Sequence, residues 1–265
     1  MKKLVLLIAA LLPLGARAQS PTGHIQYEVT QKVDHSQARI IINGQVVKPG
    51  SPDFPTDLPD VRTFGMTLAF AGNYAREERE SGMMRVVMES GPGGGAAGMP
   101  QATRVTPPFT EAVYVNLGER SYATTLTVKQ ENKTTTYRAE QPFKKPEGWK
   151  EMSQTKKIAG YTCRKATAPY KGETYTIWYT TDLPFTYSPV KDLMPEKGVV
   201  LAVEGQKEQY KASKVDSRPV AEADVRSAAD AQQVTPEELK DKREKALADF
   251  RQKAFEGETE RVRQN

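Results

Sequence analysis

Gly23-His24-Ile25-Gln26-Tyr27-Glu28-Val29-Thr30 is the stretch on which the fold turns. Ile25, Tyr27 and Val29 alternate with Gln26, Glu28 and Thr30. Successive side chains of a strand point to opposite faces, so this spacing predicts a strand with one apolar and one polar face. The same period returns in Phe64, Met66, Leu68 and Phe70, in Val113, Val115 and Leu117, and in Tyr122, Thr124, Leu126 and Val128. It returns again in Tyr175, Ile177 and Tyr179, and in Val199, Leu201 and Val203. Further strands are expected at 161–166 and 208–215, with an edge strand at 134–138. Lys171-Gly172 and Asn132-Lys133 are short enough for hairpins. Many alternating strands with no helix between them predict a mainly β protein built on an antiparallel sheet with one face in water.

Two stretches interrupt this pattern. Pro49, Pro52, Pro55 and Pro59 deny both helix and central strand to residues 48–60. Residues 91–108, with Gly93-Gly94-Gly95 at their centre, read as a surface loop inserted in the β domain. Beyond Arg218 the chain changes character. Thr235-Pro236-Glu237-Glu238 has a cap residue, proline at the first helical position and glutamate three residues after the cap. Leu239, Ala246, Leu247, Phe250 and Ala254 then form an apolar stripe at helical spacing. Glu238 and Lys242, Asp241 and Lys245, and Asp249 and Lys253 are acid-before-base pairs four residues apart, each contributing a few tenths of a kcal/mol. A C-terminal α-helix of about 20 residues follows, docked on the sheet or projecting toward a partner.

The N-terminus indicates export. Lys2 and Lys3 precede a short apolar run at 4–14, and Ala16-Arg17-Ala18 is a small-residue cleavage pattern. The run is shorter than the roughly 20 apolar residues that cross a bilayer. Cleavage between Ala18 and Gln19 would leave a periplasmic or secreted protein with no membrane span. The domains expected are a signal peptide at 1–18, an antiparallel β domain at 19–216 and a charged helical extension at 217–265. Lys2, Lys3 and Arg17 supply three of the five net positive charges, so +5 falls to +2 on cleavage. That surplus gives no reason to invoke nucleic acid.

Catalytic candidates are few. Cys163 is the one cysteine, which excludes an intramolecular disulfide, a catalytic dithiol and a cysteine-based zinc site. In the alternating context Tyr161-Thr162-Cys163-Arg164 it reads as a buried, inert thiol, although Arg164 beside it could lower its pKa. His24 and His35 fall at opposite ends of one extended segment and read as turn or solvated histidines rather than metal ligands. Met83, Met84, Met88 and Met99 could chelate Cu(I), but Met84, Val86 and Met88 alternate like a packed strand face, and packing is the preferred reading. Trp149 and Trp178 suit core or rim anchors. No serine sits in a G-x-S-x-G elbow, and Asp182-Leu183-Pro184 reads as a strand exit.

Lys157-Ile158-Ala159-Gly160-Tyr161-Thr162-Cys163-Arg164-Lys165-Ala166, followed by Ile177-Trp178-Tyr179-Thr180-Thr181-Asp182-Leu183-Pro184, resembles the core of the GLPGLI family of exported proteins. The opening strand at 23–29 is similar to that family's first strand. Where the naming motif should fall the chain reads Leu193-Met194-Pro195-Glu196-Lys197-Gly198-Val199-Val200, which keeps only its proline and glycine. The resemblance implies a lipoprotein-carrier-like half-barrel, a curved antiparallel sheet around an apolar cavity. It carries over no enzymatic activity and no cofactor.

The expected function is therefore non-enzymatic. An apolar ligand or a peptide segment would bind on the curved sheet, with Phe64, Met66, Leu68, Met84, Met88 and Trp178 as candidate contacts. The alternative is an interaction module that recruits an envelope protein through a strand edge or the C-terminal helix.

Overall fold

The computed structural model describes residues 21–37, 40–42, 45–54, 58–79, 84–88, 101–105, 109–130, 133–144, 146–227 and 230–264. The signal peptide expected at residues 1–18 lies outside the described residues, as do Met83 and Met99. In chain order the strands begin with β1 (Thr22–Lys32), β2 (Ile40–Ile42), β3 (Gln45–Val47), β4 (Val61–Ala71), β5 (Tyr74–Arg79), β6 (Met84–Met88), β7 (Gln101–Val105) and β8 (Phe109–Asn116). They continue with β9 (Ser121–Gln130), β10 (Lys133–Pro142), β11 (Lys150–Ile158), β12 (Tyr161–Tyr170), β13 (Glu173–Thr180), β14 (Val199–Glu204) and β15 (Glu208–Asp216). A short helix α1 (Glu222–Val225), a two-residue strand β16 (Gln232–Gln233) and the helix α2 (Pro236–Gln264) complete the chain.

Twelve strands form one sheet in the order β11-β12-β13-β14-β15-β1-β4-β5-β8-β9-β10-β16. Every neighbouring pair is antiparallel except β10 with β16. The sheet does not close, since β11 and β16 are its two ends. Register follows the apolar alternation. Ile25, Tyr27 and Val29 lie opposite Leu68, Met66 and Phe64 of β4, and Tyr27 and Val29 lie opposite Ala212 and Tyr210 of β15. A one-residue slip would turn every one of these side chains to water, which is why the period of two fixes the pairing.

The apolar face is covered by the protein itself. Residues 181–198 leave β13 as a strap and lay Phe185, Tyr187, Val190, Leu193 and Met194 against the sheet, all buried. Phe70 packs on Phe185 with ring centroids 4.7 Å apart. The strap is pinned by the backbone: Tyr187 N–H donates to Gly198 O at 3.2 Å and Val200 N–H to Tyr187 O at 2.9 Å. Arg120, in the turn after β8, donates to Glu196 O at 3.0 Å.

At the other end of the same face, α2 docks. Leu239 and Ala246 pack against Leu126, Val128 and Ala139 of β9 and β10. Its start is fixed as the cap pattern predicts: Glu238 N–H donates to Thr235 Oγ1 at 3.1 Å, and Thr235 N–H to the Glu238 carboxylate at 2.8 Å. The helix runs longer than expected, and Lys242 lies over the Tyr137 ring at 4.3 Å.

Three strand expectations need correction. The strand at 134–138 is longer and is not the edge, because β16 pairs alongside it. β11 escaped prediction because Lys150 through Lys157 are all exposed, so neither face imposes an alternation. Within the 91–108 insertion, residues 101–105 form β7, which pairs with β6 in a two-stranded ribbon apart from the main sheet; its remaining residues lie outside those described.

Gly198 has φ +95°, and a Cβ there would collide with the Thr180 carbonyl. Gly198→Ala is expected to lower unfolding stability by about 1–3 kcal/mol in urea titration. An unchanged midpoint would show that the strap does not need this turn.

Candidate functional site

Two polar clusters break the apolar face, and each is centred on a glutamate that the strand alternation turns inward. On β5, Ala75, Glu77 and Arg79 share the inward parity, and Glu77 is 2% exposed. Its Oε1 accepts from the Tyr187 hydroxyl at 2.7 Å and from the Lys191 ammonium. Lys191 also donates to Ser188 O at 3.1 Å and sits over the Tyr187 ring at 4.6 Å. Oε2 of Glu77 is buried without a hydrogen-bond partner, with Arg79 Nη2 4.0 Å away. Burial holds the Lys191 pKa down, partly countered by the Glu77 charge. Burial, then the same carboxylate, raises both Tyr187 and Tyr27.

On β15, Glu208 is the second hub. It accepts from Lys171 Nζ at 2.7 Å and from the hydroxyls of Tyr175 and Tyr210 at 3.4 Å each. Tyr170 packs edge-on against Tyr175 at 5.2 Å, and Lys171 lies over the Tyr170 ring at 4.9 Å. Tyr122 of β9 stacks on Phe143, with centroids 5.9 Å apart and planes 20° from parallel. Burial raises the Tyr122 and Tyr170 hydroxyls, and the Asp192 carboxylate adds to both.

The opposite face of the sheet carries a cleft of about 660 Å³. Gln26, Glu28, Thr63, Gly65, Thr67, Glu78 and Ser213 line it from that face, and Tyr27, Phe64, Met66 and Arg79 border it. Glu78 pairs with Arg76 at 3.3 Å, and Arg76 lies 5.6 Å above the Tyr114 ring.

The six candidate apolar contacts do not share one place. Met66 and Leu68 are fully buried in the core, while Phe64 is half-buried against it. Trp178 has the opposite parity to the buried Tyr175, Ile177 and Tyr179, so it lies on the other face. There Lys156 and Lys165 lie over its ring at 5.0 and 5.9 Å. Met84 and Met88 are in the separate ribbon, opposite Val105 and Gln101, and their side chains lie outside those described. Trp149 packs edge-on against Tyr179 at 5.7 Å. Cys163 is buried, and that burial, with Asp182 adding, pushes its thiol up to about 11, a poor nucleophile. His24 and His35 each face one aspartate, Asp216 at 3.4 Å and Asp60 at 3.7 Å. Among the described residues there is no group of three or more metal-ligating side chains.

Sequence reading missed Glu77, Glu208 and Asp192. A charged residue at the parity of Ala75, or of Tyr210 and Ala212, was the available signal for the first two.

Residues 99–238, just over half of the chain, match the family described as "N-glycanase peptide, N-terminal domain". The chain belongs to that family. The matched stretch runs from β7 to the start of α2 and contains the whole segment 157–200 that resembles the GLPGLI pattern. The GLPGLI assignment is thereby overturned, since a short strand pattern is outweighed by a match across ten strands.

Two solved structures of PNGF-II, in different crystal forms, are similar to the chain, with TM-scores of 0.50 and 0.51 at 15% sequence identity. The likeness covers 86% and 84% of this chain but 34% and 32% of those chains, so this chain spans about a third of their length. At that identity the likeness concerns the fold. No curated protein matches.

Two outcomes follow from the buried charges. Glu77→Gln strands the Lys191 ammonium and is expected to cost about 3–5 kcal/mol in urea titration, whereas Glu77→Leu with Lys191→Met recovers most of it. Equal losses in single and double variants would remove the pair's structural role. Tyrosines whose folded pKa lies above the unfolded value of 10 contribute stability that is complete below pH 10 and lost as pH rises through the folded value, about 12 for Tyr179. Melting temperature should hold from pH 8 to about 10 and then drop, together with a rise in tyrosinate absorbance. A melting temperature unchanged between pH 10 and about 12 would contradict this.

Proposed function

We propose that this chain is a non-enzymatic, exported binding domain that holds an extended peptide segment in the cleft over β1, β4 and β5. The cleft itself carries the reading, because it joins the amide, hydroxyl and carboxylate groups of Gln26, Glu28, Thr63, Thr67 and Glu78 in one lining. An extended peptide presents both donors and acceptors, which such a lining can satisfy. An apolar ligand fits less well, since the apolar face is already filled by residues 181–198 and by α2. Family membership supports a peptide too: in company with a glycan-releasing domain, the chain would hold the polypeptide part of a glycopeptide. The non-enzymatic reading is supported by the engagement of both buried glutamates with lysine and tyrosine, and by the raised Cys163 thiol. Export rests on the N-terminal pattern of residues 1–18. Among the described residues no helix is long and apolar enough to cross a membrane.

A second reading is supported by β11. Eight consecutive exposed residues, Met152 among them, leave an edge to which an extended strand of an envelope protein could be added. The C-terminal helix is the weaker docking element, because its apolar stripe is partly spent on β9 and β10.

Hydrogen exchange on residues 19–265, with an N-glycosylated peptide and its deglycosylated form, tests the proposal. Both peptides should protect β1, β4 and β5, and Glu28→Lys should weaken binding about tenfold. Protection confined to β11 would favour the docking module instead. Release of glycan in the same mixture would end the non-enzymatic reading.

A further inference from the structure

We propose that the outer side of β12–β15 is a docking site for an acidic, extended segment of a partner protein, seated over Trp178 between the ammonium groups of Lys165 and Lys211. The site lies beside the cleft, on the same face of the sheet.

Strand register builds it. Lys165 of β12 lies opposite Trp178 of β13, Trp178 opposite Ala202 of β14, and Ala202 opposite Lys211 of β15. Residues directly opposite in an antiparallel pair share a face, so these four stand in one row. The next member of the row is Glu28 of β1, which lies opposite Lys211 and belongs to the cleft lining. That carboxylate repels an anion and ends the row on the cleft side.

The side chains of the row are short of partners. Lys156 Nζ lies 5.0 Å and Lys165 Nζ 5.9 Å from the centre of the Trp178 ring. Lys156 is drawn aside by an ion pair with Glu204 at 3.1 Å. Among the described residues, Lys165 and Lys211 make no ion pair and no side-chain hydrogen bond. The Trp178 Nε1–H is buried without a hydrogen-bond partner. A buried donor left unpaired marks a place where an acceptor is missing. Two unpaired ammonium groups and one unpaired donor around a single ring call for an anionic acceptor.

Spacing then defines the ligand. Lys165 and Lys211 are three strand spacings apart, roughly 14 Å. An extended chain advances about 3.3 Å per residue and returns a side chain to the same face at every second residue. Acidic residues at positions i and i+4 of such a chain, about 13 Å apart, meet the two lysines, and the residue midway between them lies on Trp178 and Ala202. A nucleic acid fits less well, because Glu28 and Glu204 bound the row with negative charge.

The test is fluorescence titration and calorimetry on residues 19–265 with a blocked heptapeptide carrying two glutamates four residues apart and a leucine midway. Trp149 and Trp178 are the two tryptophans of the chain, and Trp149 is packed on Tyr179. Binding should therefore appear as a saturable change in Trp178 emission that Trp178→Phe removes. Lys165→Glu and Lys211→Glu should each weaken binding about tenfold, and the double variant should take the same peptide with lysines in place of glutamates. Should Trp178→Phe fail to fold, the lysine variants still decide. Glu28→Lys, which weakens a peptide in the cleft, should strengthen binding here, so the two sites fail separately. Absence of a saturable emission change up to about 10 mM would overturn the proposal. So would equal affinity for a peptide with its two glutamates adjacent, indifference to both lysine variants, or preference for an oligothymidylate.

Discussion

The carboxylate of Glu77 is the point on which the rest of the structure depends. It joins β5 to residues 181–198 through Tyr187 and Lys191, and those residues close the apolar face over β1, β4 and β12–β15. A buried charge is tolerated only where its partner is held in good geometry. Here that geometry requires the strap to return to one place. Gly198, Arg120 and the backbone contacts of Tyr187 secure the same path from other directions. The apolar terms supply most of the stability, and the ionic contact specifies which arrangement is reached.

The β architecture was legible in residues such as Ile25, Tyr27 and Val29, because one face in a core and one in water write a period of two into the chain. The cap at Thr235 was legible for a similar reason, since its hydrogen bonds are local. β11 was not, because a strand exposed on both faces has no period to write. Trp178 and Met66 looked equivalent as apolar residues in strands, and only the register of β13 separates their faces. Glu77, Glu208 and Asp192 were hidden in another way. Their significance comes from tyrosines and lysines far away in sequence, and no local pattern reports a contact between β5 and residue 191.

The family assignment follows the same logic. A Gly-Tyr-x-Cys strand opening is set by a hairpin and a buried thiol, which many antiparallel sheets share. Agreement spread over residues 99–238 samples the pairings that distinguish one sheet from another. The two faces then divide the chemistry: one presents a polar cleft, and the other carries aromatic rings and fixed carboxylates around a closed core.

β1 lies in the middle of the sheet, yet one of its neighbours is nearly the last strand in the chain. Ser213 of β15 bonds to Gln26 across 187 positions. Contacts of such long range are slow to form, because the intervening chain must first be brought together. A chain made from its N-terminus delivers β1 and β4 long before β15 arrives. During that interval the edge and the apolar face of β1 are bare, and such surfaces aggregate. Folding of this protein is therefore tied to the arrival of β15, and the half-delivered chain is the form most in need of a chaperone.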